Sequence, residues 1–204
     1  MKKITLVIAL AIVTTLSLFA QKEETILGSS GLRFSGAWGG STTNLTFFED
    51  DFAITTGGYG GLEFGKTIFV GWGGFSTTSN FTLPNLTTDR INMNYNGLML
   101  GYAPKAYKAL HPQFMLLTGG GRMSIAGEGS DDVFVEQPSV GAELNIFRWF
   151  RIGLDAGYRF VGDTDFNAIN DSDVSAPFGQ VTFKFGYSWG RYKSRKKEEF
   201  DDIP

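Results

Sequence analysis

The chain has 204 residues, a formal net charge of −3 and no cysteine. Its negative balance argues against binding to nucleic acid. Without cysteine, these residues can form no disulfide bond and carry no lipid on a cysteine. After residue 20, no segment is apolar for long enough to form a transmembrane helix, and no Pro/Ser-rich linker separates two domains. The length therefore predicts a single domain. Without disulfide bonds, an attached lipid or a transmembrane helix, its stability and its location must depend on the fold itself.

The start of the chain predicts export. Lys2 and Lys3 precede an apolar run over residues 4–19, and the small Ala20 follows it. This layout is typical of a secretory signal peptide over residues 1–20. A retained membrane anchor is disfavoured, because the run is short and hydroxyl side chains interrupt it near its end. Removal of the signal peptide would leave 16 basic and 21 acidic residues.

Apolar and polar residues alternate in segments of strand length over most of the chain from residue 32 onward. Residues 21–30 precede them, and we predict that they form an N-terminal periplasmic segment. Such alternation puts successive side chains on opposite faces and is typical of β-strands. The predicted strands cover residues 32–43, 54–65, 67–77, 90–102, 113–124, 133–146, 150–161 and 176–189. Long and short connections alternate between them, as in bacterial outer-membrane barrels. We therefore predict an all-β fold, an eight-stranded antiparallel up-and-down transmembrane β-barrel over residues 31–189.

The two faces of the predicted strands differ in chemistry. In the last strand Val181, Phe183 and Phe185 share one face, and the opposite face carries polar residues and Lys184. The apolar face suits lipid and the other face suits the inside of a narrow barrel. Charges of both signs on the inward face predict a network of paired groups that fills the lumen. Its predicted members are Arg33, Glu63, Arg122, Glu143, Arg151, Asp155, Arg159 and Lys184.

The fourth strand departs from simple alternation. Ile91, Met93 and Tyr95 share one face, whereas Leu98 and Leu100 continue an apolar face only after a shift of one residue. A β-bulge at Asn96-Gly97 would produce such a shift. We therefore predict a bulge in this strand.

Aromatic residues give the second indication of a membrane. The chain has 30 phenylalanine, tyrosine and tryptophan residues, and several fall at strand ends, where interfacial aromatic belts lie. Trp149, Tyr187 and Trp189 are the predicted interfacial aromatics on the periplasmic side. A soluble lipocalin-like carrier is the inside-out alternative: its apolar face would point inward and hold an apolar ligand.

Taken together, the signal peptide, the strand count, the loop asymmetry and the aromatic last strand resemble the small eight-stranded outer-membrane barrels of the OmpA transmembrane domain and OmpX type. The resemblance covers roughly residues 30–189 and implies outer-membrane localisation. Its implied partners are outer-membrane lipids and the barrel assembly machinery. The chain departs from that pattern after its last aromatic residue, since residues 190–204 carry a basic block and then an acidic one. We predict that they form a charged periplasmic tail.

A side-chain-filled lumen predicts a non-enzymatic protein with a structural or surface-interaction role. The alternative within the same fold is a narrow, porin-like channel. Lipid-modifying catalysis is disfavoured, because the only histidine, His111, falls in the predicted periplasmic connection at residues 104–112 and no nucleophile-elbow motif is present. His111 is predicted to be a turn residue. We predict no catalytic residue and no cofactor.

Three of the four predicted outer loops are acidic, which makes them the expected contact surface for an extracellular ligand. In the last loop the spacing of Asp163, Asp165, Asn167 and Asp171 resembles the start of a calcium-binding loop. The loop has Ala168 where such loops need glycine and lacks the closing glutamate. These four residues are therefore weak candidate ligands, and we predict no metal site.

Overall fold

The computed structural model describes residues 32–48, 52–78, 91–126, 129–166 and 170–189. They form one closed sheet of eight antiparallel strands, each hydrogen-bonded to the next and β8 to β1. The strands are β1 (Phe34–Phe47), β2 (Phe52–Phe64), β3 (Ile68–Thr77), β4 (Ile91–Tyr102), β5 (Leu110–Ile125), β6 (Gly129–Phe147), β7 (Phe150–Gly162) and β8 (Ala176–Ser188). The predicted fold class is confirmed. The predicted signal peptide, the segment at residues 21–30 and the tail at residues 190–204 lie outside the described residues.

The two ends of the barrel differ in their connections. At one end, called the turn end, residues 65–67, 103–109 and 148–149 join the strands. At the other, the loop end, residues 48–51, 78–90, 126–128 and 163–175 join the strands, and the last of these connections includes the short helix α1 (Asp171–Val174). In the part of the chain that the structure describes, no helix has the length and apolar character to cross a membrane.

The tightest connection shows how the sequence closes a hairpin. Gly65 and Lys66 both have positive φ angles, 57° and 61°, and the Thr67 amide donates to the Phe64 carbonyl at 3.2 Å. Two consecutive left-handed residues form the kind of turn whose twist matches that of the flanking strands. Glycine adopts the first position without steric cost.

The strands are staggered around the barrel. Following paired residues once around the closed sheet from Gly162 on β7 leads through the other strands to Ile152 on the same strand, ten residues lower. Such a stagger requires the strands to tilt against the barrel axis. Tilted strands of a narrow barrel bring side chains of non-adjacent strands together in the lumen.

The predicted bulge in the fourth strand is wrong. The pairing of β4 with β3 and β5 is continuous, and its alternation of buried and exposed residues is unbroken from Ile91 to Tyr102. Ile91, Met93 and Tyr95 point into the lumen, while Leu98 and Leu100 point outward on the opposite face. From Ile91 to Tyr102, the large apolar side chains therefore move from the inner face to the outer face of the strand. Register irregularities occur instead between Phe34 and Gly36 and near Asn145.

The lumen is filled in layers. The ion-paired side chains of Glu63, Glu143, Arg151 and Lys184 lie toward the turn end, whereas buried apolar side chains, here called the loop-end cap, close the lumen at the loop end. The cap comprises Ile91, Met93, Met123, Ile125, Val133, Val135, Val161 and Val174, all at most 4% exposed. Burying a side chain of this size stabilises the fold by roughly 1.5–3 kcal/mol.

Close backbone approach explains one glycine pair. Gly97 on β4 lies opposite Gly119 on β5. A Cβ atom at Gly97 would collide with the Thr118 carbonyl, and one at Gly119 would collide with the Asn96 carbonyl. The missing side chains let the two strands pair without displacing the backbone.

Candidate functional site

Glu143 on β6 is the centre of a buried charge cluster at the turn end. Its carboxylate accepts hydrogen bonds from Arg151 Nη1 at 2.8 Å and from Lys184 Nζ at 2.9 Å. His111 Nε2 lies 3.2 Å from Glu143 Oε1. Glu143 is 1% exposed, so three partners from three other strands replace the water that the carboxylate loses.

The cluster extends to Glu63 of β2 and to Ser35 and Trp38 of β1. Arg151 Nη1 lies 3.9 Å from Glu63 Oε2, and Ser35 donates a hydrogen bond of 2.9 Å to Glu63 Oε1. The Arg151 guanidinium also stacks over the Trp38 ring, 3.8 Å from its centroid. Stacking on an indole face is favourable for a guanidinium. The bulky Trp38 thereby helps to close the lumen beside the charges.

Asp155 on β7 is held by amides instead of cations. Gln113 Nε2 donates to both of its carboxylate oxygens, at 2.8 and 2.9 Å, and Gln180 Nε2 donates to one of them at 3.0 Å. Asp155 is 4% exposed. The three hydrogen bonds satisfy a buried carboxylate for which the described residues provide no ion pair.

The structure places six of the eight residues predicted for the lumen network in the lumen. Glu63, Glu143, Arg151 and Lys184 come together in the charge cluster, and Asp155 lies in the lumen with its amide partners. Arg159 is buried in the lumen but joins none of these ion pairs.

The lumen assignment of Arg33 and Arg122 is wrong. Arg33 is exposed and precedes β1. Arg122 lies on the outer face of β5 and pairs at 2.9 Å with Asp132, and the two side chains are 66% and 76% exposed. Near the loop end of β5, as in β4, polar residues lie on the outer face and apolar residues such as Met123 lie on the inner face.

His111 was assigned to a turn, and that prediction is also wrong. The histidine lies in β5, is 1% exposed, and its Nδ1 donates to the Lys108 carbonyl oxygen at 3.1 Å. The predicted strand begins at Gln113, three residues after the actual start of β5 at Leu110. His111, Gln113 and Met115 follow one another at every second position and all point inward, while Pro112 points outward. This alternation continues toward the N-terminus past Gln113 and would have indicated the longer strand.

Large apolar side chains cover much of the exterior of the barrel. Aromatic side chains form two groups on this surface. The turn-end belt is Phe34, Tyr107, Phe147, Trp149, Phe150, Phe185, Tyr187 and Trp189, and the loop-end belt is Phe47, Phe52, Phe134, Tyr158 and Phe160, all partly or fully exposed. Trp149 stacks on Phe147 with ring centroids 5.4 Å apart, and Trp189 contacts Phe34 at 5.2 Å. The predicted interfacial aromatics Trp149, Tyr187 and Trp189 all lie in the turn-end belt.

Polar side chains replace this apolar surface at the loop end of three adjacent strands. This polar collar comprises Asn92, Asn94 and Asn96 of β4, Arg122 and Ser124 of β5, and Ser130 and Asp132 of β6. Asn94 donates a hydrogen bond of 2.9 Å to Asn92, and Arg122 pairs with Asp132. The loop-end cap lies behind the collar, so this part of the sheet is apolar inside and polar outside, as in a water-soluble protein.

Of the weak calcium candidates, Asp171 has its carboxylate engaged by hydrogen bonds from its own loop. Asp171 accepts hydrogen bonds from the Thr164 hydroxyl and from the Thr164 amide at 3.1 Å, and the Asp165 amide donates to Asp131 at 2.7 Å. The bonds from Thr164 hold the pKa of the Asp171 carboxyl below its usual value. Asn167 lies outside the described residues. Within the described ranges, no three acidic, histidine or cysteine side chains are grouped to hold a metal ion.

The fold is shared with known outer-membrane barrels. No protein-family model matches the chain, and no curated protein matches it. Neisserial surface protein A aligns with a TM-score of 0.51 and 12% identity, covering 76% of this chain and 97% of its own. The N-terminal β-barrel domain of Pseudomonas aeruginosa OprF gives 0.51 and 11%, covering 74% and 97%. The chain therefore has the fold of the small eight-stranded outer-membrane β-barrels, and the predicted resemblance is confirmed at the level of the fold.

Proposed function

We propose that this protein is a non-enzymatic outer-membrane β-barrel with a structural or surface-interaction role. The observation that carries the proposal is the direction of its side chains: large apolar residues face outward between two aromatic belts, and the charge cluster is enclosed. Lipid is the environment in which such an exterior is stable, and aromatic belts mark its two interfaces. A soluble lipocalin-like carrier would need the opposite arrangement.

The turn end would face the periplasm and the loop end the exterior of the cell. Short periplasmic turns and longer outer loops are the usual arrangement in bacterial barrels. With this orientation, the signal peptide at residues 1–20 would direct export, the barrel assembly machinery would insert the barrel, and the tail at residues 190–204 would lie in the periplasm.

A closed lumen supports a structural role over a channel. The Glu143 cluster and Trp38 fill the turn end, and the loop-end cap fills the other. A cavity in the middle of the lumen, lined by residues such as Thr42, Gln113 and Gln180, has a volume of only about 10 Å³. That is about the space of one water molecule. We therefore expect no continuous path for ions.

The surface available for a partner would be the polar collar together with the outer loops. The collar projects beyond the apolar exterior on β4, β5 and β6, where its amides and hydroxyls can form hydrogen bonds with an extracellular ligand. The single histidine of the chain is engaged with Glu143 at the opposite end, far from this surface. This arrangement supports binding rather than hydrolysis.

Gel migration of the protein from outer-membrane fractions tests membrane insertion. We expect detergent to be required for extraction, and unboiled protein to migrate differently from boiled protein because the closed sheet survives in detergent. Mass spectrometry of the same sample should give a chain beginning at Gln21. Extraction without detergent, with no difference on boiling, would contradict the proposal.

Conductance across planar lipid bilayers separates the structural role from the channel alternative. We expect no unitary currents from the wild-type protein. Steady currents that increase when Met123→Ala and Val135→Ala open the loop-end cap would identify a channel and overturn the closed-lumen proposal. Ser124→Ala on the outer face of β5 is the matched control.

A further inference from the structure

Arg159 on β7 is a second buried cation of the lumen, separate from the Glu143 cluster. It is 1% exposed. Its Nε donates to Gln137 Oε1 at 3.1 Å, and its guanidinium carbon lies 5.1 Å from the Tyr95 ring centroid and 5.9 Å from that of Phe178. Two aromatic faces and one amide therefore surround the guanidinium.

No carboxylate among the described residues lies within ion-pair distance of Arg159. Aromatic rings attract a cation, but they do not neutralise its charge. A buried charge without a counter-charge is costly, and proteins normally pair such groups. The contrast with Arg151, which has carboxylates on two sides, indicates that the environment of Arg159 lacks an anion.

Unsatisfied polar atoms converge on the same layer of the lumen. Among the described residues, five of the six buried side-chain atoms without a hydrogen-bond partner are Arg159 Nη2, both amide atoms of Asn44, and the hydroxyls of Thr46 and Thr55; the sixth, Asn145 Oδ1, lies at the turn end. Asn44 lies directly opposite Thr55 in the sheet, and Thr46 lies opposite Phe178, over which Arg159 stacks. Tyr95 lies beside both Asn44 and Arg159 and so links the two sides of the layer.

The layer has more donors than acceptors. Arg159 Nε and the Tyr95 hydroxyl both donate to Gln137 Oε1, the latter at 2.8 Å, so this acceptor is already used. The remaining guanidinium, amide and hydroxyl hydrogens of the layer can serve as donors, whereas the Asn44 carbonyl is the only obligate acceptor among the unsatisfied atoms of this layer. An excess of donors beside an unpaired cation is the chemistry of an anion site.

We propose that Arg159, Asn44, Thr46 and Thr55 bind a small monovalent inorganic anion of the chloride class inside the barrel. The anion neutralises Arg159 and accepts hydrogen bonds from the amide and hydroxyl groups. The loop-end cap covers the site toward the outside, where Val135 and Val161 are buried. The packed lumen excludes large organic anions, and the site is occupied whether or not the barrel has a surface ligand.

Equilibrium unfolding in urea tests the site on the mature barrel folded in detergent. Sodium bromide is titrated against sodium gluconate at constant ionic strength, so that screening stays constant. Bromide should raise the urea midpoint of the wild type, and at saturation a tenfold rise in bromide should raise the folded-to-unfolded ratio about tenfold. Crystals grown in bromide should give an anomalous peak in contact with Arg159 Nη2.

Variants assign the effect to this layer. Arg159→Met should abolish the bromide dependence, and Thr55→Val, which removes one hydroxyl, should weaken it. Arg122→Met, which removes an exposed guanidinium, should leave it unchanged. A wild type indifferent to bromide, or a dependence retained in Arg159→Met, would overturn the proposal. If Arg159→Met does not fold, an unchanged response in Thr55→Val together with the absence of an anomalous peak overturns it.

Discussion

The turn-end and loop-end halves of the barrel solve the same packing problem with opposite chemistry. At the turn end the exterior is apolar, and charged groups such as Glu143, Arg151 and Lys184 fill the interior. At the loop end of β4, β5 and β6, apolar side chains fill the interior and the polar collar covers the exterior. Where the outside must meet lipid, the inside holds the charges, and where the outside meets water, an ordinary hydrophobic core suffices. The sheet therefore continues beyond the proposed membrane as a soluble-type β-structure.

The largest expected effect comes from removing the centre of the charged half. Glu143→Gln leaves Arg151 and Lys184 without the carboxylate that joins them, and breaking a buried ion pair in this way costs about 3–5 kcal/mol. Urea unfolding in detergent should show this loss. Glu136→Gln, on the exposed face of the same strand, is the matched control and should change little. Equal effects of the two variants would show that the cluster contributes no stability.

Shortening a side chain of the loop-end cap should lower the free energy of unfolding by less than Glu143→Gln does. Met123 is 1% exposed in the loop-end cap, and methionine-to-alanine changes at buried sites cost about 2–5 kcal/mol. We expect the lower part of this range, because Met123 lies two residues from the end of β5, where the strand can shift to reduce the cavity. The same unfolding assay measures it, with Ser124→Ala on the outer face as control. A neutral Met123→Ala would mean that the cap is not packed as a core.

The reversal between the halves also explains which sequence predictions succeeded. β7 and β8 keep an apolar outer face along most of their length, so alternation alone assigned Asp155 and Lys184 to the lumen side. In β4 the apolar residues move from the outer face at Leu98 to the inner face at Met93 without any change in pairing. A periodicity argument that assumes one environment interprets this as a bulge.

The same assumption placed Arg122 in the lumen, because a charged residue was expected to avoid the outer face. The stagger of all eight strands decides which side chains the cap buries and at which level along the strands the exterior passes from lipid to water. No single sequence segment determines this stagger. Hydrogen-bond partners within the lumen, such as Lys184 of β8 with Glu143 of β6, lie on strands that are not neighbours in the sheet and meet only across the lumen. Sequence analysis could predict that charges lie inside but not which of them meet.

Asp155 lies between the two halves, and amide groups hold its carboxylate where cations hold that of Glu143. Variants of these amides measure how much they stabilise the barrel. Gln113→Leu keeps much of the side-chain volume but removes two of the three hydrogen bonds to the carboxylate. Leaving a buried acceptor unsatisfied costs about 1–3 kcal/mol. Gln180→Leu removes one hydrogen bond and should cost less. If the order of the two variants in urea is reversed, Gln113 is not the main partner of Asp155.

The smallest effect is expected at the polar collar, where an ion pair faces water. Arg122 and Asp132 are mostly exposed, and exposed pairs contribute about 0–1 kcal/mol because water and salt screen them. Arg122→Ala should therefore shift the urea midpoint only slightly, and the shift should decrease further as salt is added. Arg122 and Glu143 lie on neighbouring strands, one exposed and the other buried. Comparing the two variants therefore shows how much the burial of a charged group changes its contribution to stability. A loss from Arg122→Ala as large as that from Glu143→Gln, and insensitive to salt, would place Arg122 in a buried setting and contradict the polarity reversal at the loop end.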